Sequence, residues 1–326
     1  MASSKDRIIV DFDGDSRISL AELSLSLLAR QQSSWPQLRA GYTGLEALRQ
    51  RQVATEGFVA LLQCNPPRII STGAAIDPAA IKARPCFLCL PNLPPVQQAI
   101  CCYRRFLVLC NPFPIFPRHF TIAHIRHRPQ ALHGALPFLL RLARDFQPDF
   151  ALLYNGPRSG ASAPDHLHFQ AVPKAAIPVL NKGREGMEKV RQGERLLIFR
   201  TTRDVRAALI VEGDAPETVS ALIAKIIDVL KHVLASHGEP LLNLFCHYED
   251  GRWRVVIFPR RKHRPDAYYK TGREQVLLSP GAVDMGGLTV VPRQEDFERL
   301  DPLLLRNIFQ EVSIPEELLA RIGAAL

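Results

Sequence analysis

No run of about 18 uninterrupted apolar residues occurs in this 326-residue chain, so no segment reads as a membrane-spanning helix. The N-terminal stretch Met1-Ala-Ser-Ser-Lys-Asp lacks the charged-then-apolar pattern of a secretory signal, and the cytosol is the expected compartment. There is no repeat of roughly 20–50 residues and no low-complexity tract. The cysteines number seven, an odd count, and vicinal Cys101-Cys102 makes a poor disulfide framework. Cys86-Phe-Leu-Cys89 has no second Cys-x-x-Cys to accompany it. Asp11-Phe-Asp-Gly-Asp hints at a calcium loop, but the glycine stands at the wrong offset.

What is present fits a globular protein with a sizeable core. Hydrophobic residues make up 47% and charged residues 22% of the chain. The length allows two ordinary domains or one two-lobed domain. A net charge of +9 favours anionic ligands: nucleotides, phosphates or nucleic acid. Apolar spacing predicts a helix over 18–28 and strands over 58–64 and 68–72. Strands over 106–110 and 119–123 form a hairpin-like pair. A helix covers 131–146, irregular at Pro137. Strands follow over 150–154 and 166–172. In the second half, a strand over 206–211 precedes a long amphipathic helix from Pro216 to Ser236. Strands over 242–247 and 252–259 flank the turn Glu249-Asp-Gly, with another over 288–291 and a helical C-terminus. Strand pairs alternating with single long helices indicate α+β with mostly antiparallel sheet.

The strongest chemical signal is Asp165-His166-Leu-His-Phe-Gln170. Alternate side chains of a strand face one way, so His166, His168 and Gln170 share a face opposite Leu167 and Phe169. An edge strand with a solvated face explains this in the bland case. The preceding loop, Asn155-Gly-Pro-Arg-Ser-Gly-Ala-Ser-Ala-Pro, weighs against it. Its small residues and free N–H groups, at Asn155, Ser159, Gly160 and Ser162, suit a phosphate.

These residues resemble the histidine triad superfamily, in particular its transferase branch. That branch holds galactose-1-phosphate uridylyltransferase, diadenosine tetraphosphate phosphorylase and plant GDP-L-galactose phosphorylase. Its members carry His-x-His-x-Gln behind a Gly/Ser loop. The resemblance makes His168 the nucleophile and Gln170 the holder of a phosphate oxygen. Hydrolases of the superfamily have a third histidine there. It implies two histidine-triad-like lobes: a catalytic one over 56–185 and a second over 186–326 that completes the cleft. An N-terminal helical extension, 1–55, matches nothing. Homodimers are common in such families, although no interface signal is visible here.

Cys86 and Cys89 alone are either buried thiols or half of a metal site, with histidines 119, 124, 127, 133 and 166 downstream. The resemblance selects Cys86, Cys89, His127 and His166 as ligands of a structural zinc ion. It also assigns Asn111 to the ribose, Arg68 to a phosphate or base, and Arg260 or Lys262 to the acceptor phosphate or leaving group. The implied activity is nucleotidyl transfer or phosphorolysis on a nucleoside diphosphate sugar or dinucleoside polyphosphate, with phosphate or a sugar phosphate as acceptor. A zinc-containing nucleic-acid-binding module is the main alternative. It leaves the two-histidine strand unexplained and lacks an aromatic-basic stacking stripe. A superfamily hydrolase is the other, and Gln170 argues against it.

Overall fold

The computed structural model describes residues 7–73 and 77–326. The stretch Met1–Asp6, read for a signal sequence, lies outside them. Eleven strands form one sheet. In chain order they are β1 (Ile8–Phe12), then β4 (Ala99–Cys102), β5 (Phe106–Cys110), β6 (Phe120–His124), β7 (Phe150–Asn155) and β8 (His168–Pro173). The second half supplies β9 (Met187–Gln192), β10 (Leu196–Thr201), β11 (Leu209–Gly213), β12 (Leu242–Glu249) and β13 (Arg252–Pro259). Across the sheet the order is β1-β4-β5-β6-β8-β7-β12-β13-β11-β10-β9, and only the β1–β4 pair is parallel. The halves join where β7 pairs with β12, Asn155 opposite Asn243 and Leu153 opposite Phe245. A second sheet holds β2 (Arg49–Thr55), β3 (Phe58–Cys64) and β14 (Leu288–Val291), in the order β14-β3-β2.

Both faces of the large sheet are buried over most of its width, and the strand sequences show why. β7 and β13 are almost continuously apolar, as doubly covered strands must be. Leu152, Val255 and Val211 face one core, which also takes the helices Leu136–Asp145 and Pro216–Val233. Leu153, Val256 and Ile210 face the other, under the small sheet and the C-terminal helices. A third, smaller apolar cluster covers the second face at β4 and β5, beneath Cys86, Leu88 and Leu93. Between these last two clusters, β8 presents His168 and Gln170 where an apolar strand would present core residues.

Several sequence expectations shift. The helix expected over 131–146 begins at Leu136, because Pro137 lacks an N–H and suits only a first turn. Residues 68–72 are helical rather than a strand. Pro66 and Pro67 start a 3-10 turn that runs into Ile69–Thr72. His166 lies just before β8 rather than in it. The expected strand over 206–211 sits at Leu209–Gly213. Among the described residues no helix is long and apolar enough to cross a membrane, and all seven cysteines are free.

One close approach ties the sheets together. Gly57 has φ +94°, and a Cβ there would lie 1.9 Å from the Arg203 carbonyl oxygen. Gly57→Ala is expected to destabilise the fold by at least about 2 kcal/mol. A thermal melt should show a Tm several degrees lower; an unchanged Tm would refute the close approach.

Candidate functional site

His168 opens β8 with its ring buried. Its Nδ1–H donates to the His166 carbonyl at 2.8 Å, because a carbonyl can only accept. The lone pair therefore lies on Nε2, the free ring nitrogen. Burial holds the pKa down at about 4, so the ring is neutral at pH 7. The backbone is clamped by Gln130, a buried residue that sequence reasoning missed. Gln130 Oε1 accepts from the His168 N–H at 2.7 Å. Its Nε2 donates to the carbonyls of His168 (3.0 Å) and Asn155 (2.9 Å).

Gln170 is oriented by a second imidazole. The backbone N–H of Ile115 donates to His119 Nδ1 at 3.1 Å, so the proton is on Nε2. That Nε2–H donates to Gln170 Oε1 at 2.7 Å. The amide oxygen is thereby occupied, and the two amide N–H donors of Gln170 remain for a ligand. Four side chains hold the loop that carries His119. Tyr42, Gln63, Asn65 and Arg68 donate to the carbonyls of His119, Ile115, Pro114 and Phe113.

His168 and Gln170 line a cleft of about 520 Å³ with Asn111, Arg68 and Ser162. A recess of about 70 Å³ adjoins it and shares Arg68, Ser162 and Gln170. Asn155, Gly160, Ser279, Gly281 and Asp284 also line the recess, with Ser71 and Thr72. Burial lowers the Arg68 pKa to about 10, which leaves it cationic at neutral pH. Burial raises the Asp284 pKa to about 6 against the pull of the Gly281 and Val290 N–H groups. The loop after β7 packs tightly here. Gly160 has φ +96°, and a Cβ would come within 2.9 Å of Gly281 Cα. Asn155 Oδ1 accepts from Asn243 Nδ2 and the Ala282 N–H, each at 2.7 Å. Ser159 is fully buried behind the loop, with its carbonyl accepting from Asn243 Nδ2 at 2.6 Å.

On the other side of His168, four donors converge. His166 Nε2–H donates to the His124 carbonyl at 2.7 Å, which turns the Nδ1 lone pair toward the Cys86 and Cys89 sulfurs, 3.3 and 3.5 Å away. Cys89 Sγ is 3.3 Å from His127 Nδ1. The four ligand atoms lie within 4.8 Å of one another. A tetrahedral ion with bonds of about 2.3 Å to sulfur and about 2.05 Å to nitrogen needs S···N edges of about 3.6 Å, so the group fits a metal ion. Asp165 stands behind it, 3.8 Å from His127 Nε2 and 3.0 Å from Arg84.

Comparison with known proteins bears on the fold that carries these residues. Residues 27–173 match a family described as a domain of unknown function, DUF4922. Residues 201–325 match the GDPGP1-like C-terminal domain. Yeast Ap4A phosphorylase Apa2 in complex with AMP superposes with a TM-score of 0.53 at 16% identity, over 89% of this chain and 97% of that one. The same enzyme in complex with Ap4A gives 0.53 at 14% identity, over 86% and 97%. The fold is that of Ap4A phosphorylase Apa2. A uridylyltransferase mutant matches more weakly, with a TM-score of 0.34 at 13% identity, over 69% and 94%. No curated protein matches the sequence significantly.

Three expected residues lie away from the cleft and the recess: Ser159, behind the loop, and Arg260 and Lys262. Arg260 is fully buried and lines neither cleft nor recess. Its five N–H groups go to Asn243 Oδ1 and to the carbonyls of Val312, Pro280, Lys262 and His263. It braces the floor of the recess instead of meeting a ligand. Lys262 points away and pairs with Asp266 and Glu311. The resemblance placed both by position after a strand, which says nothing of where the side chains are spent. His119, Gln130, Asn243 and Asp284 were missed; only His119, in Pro117-Arg-His, was among the histidines considered.

Burial holds the His119 pKa near 3, below its ordinary 6.5. The folded state therefore resists a proton that the unfolded chain accepts below pH 6.5. Stability is full above that pH and falls as the pH drops toward 3, by about 2 kcal/mol at pH 5 from this group. Urea unfolding of wild type and His119→Asn at pH 7.5 and 5 should show a smaller acid loss in the variant; equal losses would show that His119 does not titrate this way.

Proposed function

We propose that this protein is a nucleotidyltransferase of the phosphorylase type. It acts on a nucleoside diphosphate sugar or a dinucleoside polyphosphate through a covalent nucleotidyl intermediate on His168. The observation that carries the reading is the His168 ring, neutral and fixed by the His166 carbonyl so that Nε2 is free in the cleft. The likeness to Ap4A phosphorylase supports it at the level of fold.

Nε2 attacks the α-phosphorus. A P–N bond forms as the P–O bond to the leaving phosphate breaks, and the electron pair departs on that oxygen. A phosphate-type leaving group is a weak base, so no strong general acid is required. Charge developing on the phosphoryl oxygens meets the amide donors of Gln170, the Arg68 guanidinium and the Ser162 loop. An oxygen of inorganic phosphate or a sugar phosphate then attacks the same phosphorus. The P–N bond breaks, and its electron pair returns to Nε2. Residues 56–185 supply the nucleophile and 186–326 the far wall of the recess, through Ser279, Gly281 and Asp284. Asn111, at the cleft, meets the ribose.

Cys86, Cys89, His127 and His166 would hold zinc, the metal that suits two thiolates and two imidazoles. Such an ion supplies a structural cross-link between the segment around Cys86 and the entry to β8.

Incubation of the purified protein with nucleotides labelled at the α-phosphate should leave acid-labile, base-stable label on the protein. The panel holds GDP-sugars, UDP-sugars and diadenosine tetraphosphate. The label should be absent in His168→Ala and chased off by phosphate; no label from any substrate would overturn the reading. Gln170→Ala should slow labelling by about 10²–10³-fold. Elemental analysis should find about one zinc per chain, lost in Cys89→Ser together with a lower Tm; full metal content in that variant would place the ion elsewhere.

A further inference from the structure

The cleft runs from His168 and Gln170 to a wall of different character, where Leu88, Leu93 and Leu109 stand with Trp35. An apolar lining of this kind suits an aromatic base. The recess on the opposite side, with Ser71, Thr72, Ser279 and Asp284, is small and polar and suits phosphate and hydroxyl groups. One buried amide interrupts the apolar wall: Gln97, 5% exposed.

The chemistry of that amide is fixed from one side. Gln97 Nε2 donates to the Cys110 carbonyl at 3.1 Å. A carbonyl accepts and never donates, so the amide cannot turn over without losing this bond. That orientation leaves the oxygen, beside one further amide N–H, for an occupant of the cleft. The backbone around it is fixed as well. Gln31, fully buried on the helix Leu20–Ser34, donates from Nε2 to the Val96 carbonyl and accepts the Gln98 N–H, both at 2.9 Å. Gln97 N–H donates to the Pro94 carbonyl at 2.9 Å. The N-terminal segment thus grips the chain on both sides of residue 97, and Trp35 extends it into the cleft wall.

We propose that Gln97 reads the nucleobase: its amide oxygen accepts a hydrogen bond from an amino or ring N–H group of the base, and Gln31 is its positioning residue. This rests on the nucleotidyl-transfer reading and deepens it. An apolar slot binds every base by contact area and discriminates weakly. A buried acceptor discriminates strongly, because a base that presents a carbonyl there leaves two oxygens facing each other without a proton.

The test is calorimetric binding of AMP, GMP, UMP and CMP to the full-length protein, in wild type, Gln97→Met, Gln97→Ala and Gln31→Ala. Wild type is expected to prefer one nucleotide. Both Gln97 variants should lose about tenfold or more for that nucleotide and change the other three by no more than about twofold. Gln31→Ala should raise KM for the preferred substrate and leave kcat unchanged, as a loss of uniform binding does. Equal affinity of wild type for all four would overturn the inference. So would unchanged selectivity in either folded Gln97 variant, or an equal loss for all four nucleotides. Binding of none of the four by wild type would sink the transfer reading itself, whereas labelling of His168 with selectivity intact in Gln97→Met sinks only the role of Gln97.

Discussion

Pairing of β7 with β12 joins two half-sheets into one, and the rest of the molecule is arranged around that seam. A sheet eleven strands wide, buried on both faces over most of its width, needs apolar side chains pointing both ways, and the chain supplies them from β5 through β11. At β8 it does not. Leu167 and Phe169 still enter the core on one side, but the other side holds His168 and Gln170. The seam also sets the loop after β7. Asn155 meets Asn243 across it, and Asn243 in turn meets Arg260 and the Ser159 carbonyl. The loop is held in place from the second half of the chain, so neither half builds this floor alone.

Three buried histidines around β8 each have one nitrogen fixed by a backbone group, and that settles the role of the other nitrogen. Ile115 N–H makes His119 a donor to Gln170. The His124 carbonyl leaves His166 Nδ1 free to face the thiols. The His166 carbonyl leaves His168 Nε2 free to face the cleft. His166 links two of these arrangements: its ring belongs to the Cys86, Cys89, His127 group, and its carbonyl holds the His168 ring. A metal ion in that group would stiffen the residue that orients His168 without touching the reacting atoms.

The segment from His166 to Gln170 and the loop before it stood out in the sequence because their residue types are rare in that pattern, and the structure puts His168, Gln170 and Ser162 at one cleft. The Cys-His quartet was legible through the resemblance, and the structure brings all four together. Helix and strand identities followed from periodicity wherever a run was long, as in Pro216–Val233. They failed at 68–72, where a β-branched pair, Ile69-Ile70, looked like a strand and the two prolines before it dictated a turn. Gln130, Asn243 and Asp284 were invisible for a different reason. Gln130 and Asn243 act through partners more than 20 residues away in sequence, Asp284 binds the nearby Gly281 and Val290 N–H groups, and a lone amide or carboxylate gives no local signal of such roles.

A net charge of +9 favours anionic ligands, but it does not say which charges are free, and several arginines are spent on protein oxygens. Arg260 gives all its donors to neighbouring protein oxygens. Arg51 holds the carbonyls of Phe297 and Leu300, and Arg7 those of Leu90 and Leu93. Arg206 packs over Phe58 and binds Asp204 and the Met285 carbonyl. Guanidinium groups serve here as multi-donor braces for carbonyls at loop and helix ends, which apolar residues cannot satisfy. Arg68 does both jobs: one Nη1–H braces the Phe113 carbonyl while the cation borders cleft and recess. Its cation is held by its own loop at the border of both, a placement that the sum of charge over the chain does not show.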